Sequence, residues 1–164
     1  VHEHRTVALV VLTDRAARAD AEERRELYDF YLAQTDRINN WDLVDLSCRE
    51  VVGGQLLALG DWSPLKKLTR SDNLWERRIA IVSTWTMIRA GDLQPTFTIS
   101  ELLLGDPEDL IHKAVGWMLR EAGKRDRPAL EAFLEQHVAA MPRTALRYAI
   151  ERFEPDQRAY WMSR

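Results

Sequence analysis

Cysteine is almost absent from this chain: Cys48 is the single one in 164 residues. That excludes an intramolecular disulfide, an iron–sulfur cluster and a cysteine-based zinc site, and it makes a reducing compartment, the cytoplasm, the default. The ordinary reading of such a residue is a small core side chain. Long apolar runs are missing as well, so no transmembrane helix is expected. The opening VHEHRTVALVVLTDR has neither the basic leader nor the small-residue cleavage site of a signal peptide. Because the chain begins at Val1 within an already helical pattern, a further N-terminal segment is expected to precede it. No glycine-rich phosphate loop, HExxH or Ser–His–Asp arrangement is present. His2, His4, His112 and His137 do not cluster, so no metal site is expected.

An excess of one charge is also lacking. The 23 basic and 26 acidic residues leave a net charge of −3, which argues against a strongly basic nucleic-acid binder. The distribution is uneven. Residues 1–60 carry 7 basic and 11 acidic side chains, and residues 111–164 carry 10 and 7, so the C-terminal part is the better candidate for contact with phosphates.

What is present is helical periodicity. Alternation at period two is almost missing, and proline and glycine fall mainly between periodic runs. The first helix is expected to end near Val11–Leu12. Asp20, followed by Glu23 in a capping-box pattern, opens a helix over 21–34. Asn39 or Asn40 opens one from Trp41 to Leu59, stopped by Gly60. A short helix at 63–69 has Pro64 in its first turn. Ser71 or Asp72 opens a helix running to Arg89 and stopped by Gly91. Further helices are expected at 98–104, from Asp106–Pro107 to Gly123, at 127–139, at 142–152 and at 156–162. The second members of successive pairs start roughly 34 residues apart, which is the period of a HEAT-like superhelix, an all-α solenoid, with 1–164 as one repeat domain. An irregular helical bundle is the alternative.

Several polar residues sit on otherwise apolar helices. Asp45 follows Trp41 by one turn and so shares its face. It reads either as a fixed anion that stabilises developing positive charge, or as a surface carboxylate paired with Arg49 one turn on. Arg78 lies in a stripe with Trp75, Val82 and Trp85, and a buried guanidinium needs a partner. Asp45, 33 residues earlier, is one candidate and a phosphate is the other. Arg77, about 100° round the helix, is expected to face solvent. Trp117 follows Gly116, which permits a close backbone approach. Its ring is either core or a platform for a sugar, base or cation, flanked by Lys113 and Arg120. Arg143 and Arg147 share a face of the last full helix with Tyr148 beside them, while Lys124, Arg125 and Arg127 cluster before it. Each reads as a phosphate contact or as a solvated surface residue.

The segments WDLVD at 41–45, LWERRIAI at 74–81, KAVGWMLRE at 113–121 and PRTALRYAIERF at 142–153 resemble the AlkD-like family of DNA alkylation repair glycosylases, in matching order and separation. The resemblance implies a HEAT-like superhelix with a groove for double-stranded DNA containing alkylated bases. It further implies excision of cationic purines such as 3-methyladenine and 7-methylguanine by a monofunctional glycosylase, a chemistry that calls for no metal or organic cofactor; a monomer is the default. It places Asp45 as the catalytic carboxylate, Trp41 and Trp117 around the lesion deoxyribose, and Arg78 on the DNA backbone. The alternative is a non-catalytic helical-repeat module that binds DNA structures or a protein. Burial of Asp45 against Arg78 with no open groove would favour that alternative.

Overall fold

The computed structural model describes residues 2–164, and every regular element among them is helical. Helix α1 (His2–Arg18) precedes α2 (Ala21–Ala33), and α3 (Trp41–Cys48) runs through a π-helical turn at Arg49–Gly54 into α4 (Gln55–Leu59). Then α5 (Ser63–Leu68) pairs with α6 (Leu74–Val82), which continues after Ser83 as α7 (Thr84–Ala90). Helix α8 (Gln94–Leu103) pairs with α9 (Asp109–Arg125), α10 (Arg127–His137) and α11 (Arg143–Ala149) both pack against α9, and α12 (Pro155–Met162) closes the chain. The second members α3, α6, α9 and α11 touch in that order, giving the all-α repeat architecture. Their buried faces, with Val44, Cys48, Ile79, Ile81, Ile111, Met118, Leu119 and Leu146, form one continuous core. No described helix is long and apolar enough to cross a membrane.

The boundaries follow local chemistry. Asp20 accepts a hydrogen bond from the Glu23 amide at 2.9 Å, capping α2. Gly60 and Gly91 end their helices at φ of 67° and 93°, where a side chain would be strained. Several boundaries differ from expectation: α9 begins at Asp109 instead of Asp106–Pro107 and α11 ends at Ala149, and three others show why. Helix α1 continues to Arg18, because nothing between Leu12 and Arg18 breaks it and Ala16 still faces the core. Helix α6 is capped by Asn73, whose side chain accepts from the Trp75 amide at 2.9 Å, while Ser71 supports Asn73 from outside the helix. Helix α8 starts at Gln94, since Pro95 suits a first turn better than the later Thr98 or Ser100 does.

Arg77 does not face solvent. Its guanidinium is paired at 2.6 Å with the buried Asp106 carboxylate and also donates to the carbonyls of Ser71 and Asp72. This ties the loop before α6 to the loop before α9, so the two helices begin level.

A second device fixes neighbouring helices at the π-turn. Widening a helix to the π form disturbs its regular backbone pairing. Here the carbonyls of Cys48 and Arg49 receive the hydroxyls of Ser83 and Thr86, at 3.4 and 2.5 Å, from the point where α6 passes into α7. Gly53 makes the approach possible: a methyl group there would stand 2.6 Å from the Ser83 carbonyl oxygen.

Gly116 plays the same part between α9 and α11. A methyl group on it would lie 2.4 Å from both the Ala145 carbonyl oxygen and the Tyr148 Cβ. Alanine is the better helix former by about 1 kcal/mol, but the clash involves backbone and has no soft neighbour to yield. Gly116→Ala is therefore expected to lower stability by about 1–3 kcal/mol in urea denaturation, whereas Gly105→Ala, with open space around it, leaves the midpoint nearly unchanged.

Burial pushes the Cys48 thiol up to about 12 and holds the Tyr31 phenol well above its ordinary range. Both groups stay protonated in the folded chain while the unfolded chain ionises at ordinary values. The contribution of Cys48 is thus complete below roughly pH 9 and is lost as pH rises toward 12, and that of Tyr31 is likewise lost at high pH. Denaturation across that window should show falling stability, with a shallower fall in Cys48→Val.

Candidate functional site

Asp45 and Arg78 meet across α3 and α6. The Arg78 Nε donates to one Asp45 carboxylate oxygen at 3.0 Å and a terminal nitrogen to the other at 2.8 Å, a bidentate fork. The remaining terminal nitrogen donates to the Leu110 carbonyl, in the first turn of α9, at 2.6 Å. Of the two partners open to Arg78, Asp45 is the one it has. Of the two open to Asp45, Arg49 is not the one: its Nε donates to the Asp45 backbone carbonyl at 3.1 Å, and its guanidinium turns elsewhere. The Arg78 side chain is 6% exposed and that of Asp45 16%, so the carboxylate keeps an open edge that the guanidinium lacks. For the expected DNA-backbone role of Arg78, the structure shows an enclosed and fully engaged side chain. All three of its nitrogens already donate within the protein, and it lies beneath the surface.

The other candidates divide around this pair. Trp41, one turn before Asp45, is 52% exposed, while Trp161 is buried and Trp62, Trp75, Trp85 and Trp117 lie against the core. An indole held half in water next to a carboxylate suits a ligand better than it suits packing. Trp117 combines both readings, since it packs on the core yet keeps part of its ring exposed. Lys113, one turn before it, is paired with Asp109 at 3.0 Å, and that carboxylate raises the ammonium above its ordinary value. Asp45, Arg78, Lys113 and Tyr148 stand on α3, α6, α9 and α11, which touch in that order and so carry them as a row. Tyr148 rests its Cβ against Gly116 and is 37% exposed.

Of three further expected DNA contacts, two are engaged within the protein and one is free. Arg120 is held by Glu151 and lies 3.9 Å from Glu121, so its charge is met within the protein. Arg143 donates to the Met162 carbonyl, which draws it toward α12 and away from the row. Arg147 is exposed, with only a long 3.4 Å contact to Thr144. Conversely, Arg49 and Arg89 were not singled out as contacts, yet both guanidiniums lie against the Trp85 ring, at 4.6 and 5.1 Å from its centre. The spacing of Trp85 to Arg89, one helical turn, was the available signal.

An apolar hollow of about 320 Å³ lies between α1 and α2, lined by Leu9, Leu12, Phe30 and Tyr31 among others. His4, Arg5 and Arg37 stand among its other lining residues, and none of the row lines it. No group of three or more His, Cys, Asp or Glu among the described residues is placed to hold a metal ion.

A family model described as DNA alkylation repair enzyme matches residues 1–153. The chain belongs to that family. Among solved structures, a "Predicted DNA alkylation repair enzyme from Enterococcus faecalis" superposes on this repair-family chain with a TM-score of 0.76 at 21% identity, over 93% of this chain and 70% of the other. That likeness establishes the fold. Among curated proteins nothing matches.

Removing the guanidinium leaves a repair-family chain with a largely buried, unpaired carboxylate. Arg78→Met is expected to cost about 3 kcal/mol in chemical denaturation. Arg78→Lys restores only part, because one ammonium cannot span both carboxylate oxygens and the Leu110 carbonyl.

Proposed function

We propose that this chain is a DNA glycosylase that removes cationic alkylated purines, such as 3-methyladenine and 7-methylguanine, from double-stranded DNA. Membership of the DNA alkylation repair family supports DNA as the substrate. The observation that carries the chemistry is an oriented carboxylate, Asp45, with an open edge beside the half-exposed ring of Trp41.

Alkylation at N3 or N7 makes the base positively charged. When the C1′–N9 bond breaks, its electron pair stays with the base, which leaves neutral and needs little help from a general acid. Positive charge then develops on the deoxyribose. A carboxylate held in place before the reaction stabilises that charge without reorganising. Water, oriented by Asp45, adds at C1′ and gives up its proton to solvent. The faces of Trp41 and Trp117 attract the same developing cation. Arg78 holds the carboxylate correctly turned through its two-point fork. This chemistry calls for no metal or organic cofactor, and the protein is proposed to act as a cytoplasmic monomer.

The second reading is a non-catalytic DNA-binding repeat module. The bidentate closure of Arg78 on Asp45 favours it, because much of the carboxylate's charge is already met inside the protein.

Methylated duplex DNA separates the two. Released bases are measured by liquid chromatography, and affinity for the same duplex by fluorescence anisotropy. Asp45→Asn is expected to slow release on the order of 10²–10³-fold with affinity little changed. Equal release by variant and wild type would sink the mechanism, and no release from either would leave the binding module.

A further inference from the structure

The basic residues near Asp45 fall into two kinds. Lys113 and Arg120 are neutralised within the protein by Asp109 and Glu151. Arg49 and Arg89 have no carboxylate within salt-bridge distance among the described residues, and they are held by an indole instead.

That difference matters for what each can bind. A guanidinium stacked on an aromatic ring uses its flat face, and its N–H edges remain free for a fork onto two oxygens. Arg49 spends only its Nε, on the Asp45 carbonyl, so both terminal nitrogens are left over. Arg89 is exposed, and its backbone carbonyl accepts from Arg125 at 2.6 Å, which brings a third guanidinium alongside. Arg125 also donates to the Ile88 carbonyl. Three cations thus run from the turn after Asp45 along α7 to the end of α9. Arg49 is further fixed from below, because Thr86 donates to its carbonyl at 2.5 Å. A mobile surface arginine loses rotamer freedom on binding; these positions have already lost much of theirs.

We propose that the Arg49–Trp85–Arg89 stack, extended by Arg125, is the phosphate clamp of this protein. It would grip the DNA backbone next to the nucleotide that faces Asp45. The proposal rests on DNA as the partner and deepens the reading above, moving the backbone contact from the enclosed Arg78 to these stacked arginines. One helical turn separates Asp45 from Arg49, so a phosphate on Arg49 sets where C1′ of the neighbouring nucleotide falls relative to the carboxylate.

The test uses a short fluorescein-labelled duplex without lesions and the full chain. The double variant Arg49→Gln/Arg89→Gln is expected to weaken affinity roughly tenfold per residue. Each lost phosphate contact also flattens the slope of log affinity against log salt by about 0.9. Lys67→Gln/Arg70→Gln removes as much charge from the exposed end of α5 and the turn after it, and is expected to leave both readouts near wild type. Thermal unfolding checks that all variants fold alike. An unchanged affinity in the double variant overturns the clamp, as does an equal loss in the control pair or failure of the unaltered chain to bind duplex DNA. Base release is measured in parallel. Loss of affinity on substitution without release from wild type keeps the clamp and removes the glycosylase, while release with unaltered binding in the double variant does the reverse.

Discussion

One guanidinium holds the site together. Arg78 reaches back to Asp45 on α3 and forward to the Leu110 carbonyl on α9, so three successive repeats meet at a single planar group. A buried ion pair of this kind is seldom a good source of net stability, since the cost of taking both charges from water offsets most of their attraction. What it supplies is direction. A carboxylate gripped at both oxygens cannot rotate, and its one open edge points where the geometry of three helices dictates. Arg77, adjacent in sequence, does the complementary task at the helix starts through Asp106. Consecutive arginines on different faces of α6 therefore set the register of the repeats on either side of them.

Charge at the site is more structured than a net value of −3 conveys. Some cations are matched by carboxylates and contribute shape more than field. Others lie on indoles and keep their field for something outside the chain. A slightly acidic protein can in this way present a concentrated basic line at one place, because attraction to a polyanion depends on local unpaired charge rather than on the sum.

Much of this architecture was legible in the sequence. Helical periodicity, Gly60, Gly91 and Asp20 are local signals, and the structure keeps each of them. The closeness of Asp45 and Arg78 followed from repeat spacing, and the close approach at Gly116 followed from a glycine inside an apolar helix. Beyond shifted helix boundaries, the failures were matters of partnership. Whether Arg77 faces water, whether Arg120 is met by Glu151 and whether Arg143 turns to Met162 depend on residues 29, 31 and 19 positions away. Periodicity reports which face a residue occupies and is silent about what stands opposite. The π-turn was invisible for a related reason, since it exists only because Ser83 and Thr86 of the next helix satisfy the carbonyls beside it.

That turn has a mechanical consequence. Stacked helix pairs normally flex like a spring, each junction yielding a little. Here two irregularities interlock: Gly53 is seated against the Ser83 carbonyl, and the hydroxyls of Ser83 and Thr86 sit on the opposing backbone. Sliding either helix would set a side chain where only a hydrogen atom fits and would strip the carbonyls of their partners. The junction beside Asp45 is therefore a welded joint in an otherwise elastic rod. A long ligand laid across it has to take up the curvature of the protein, and whatever bending the encounter requires falls to the ligand.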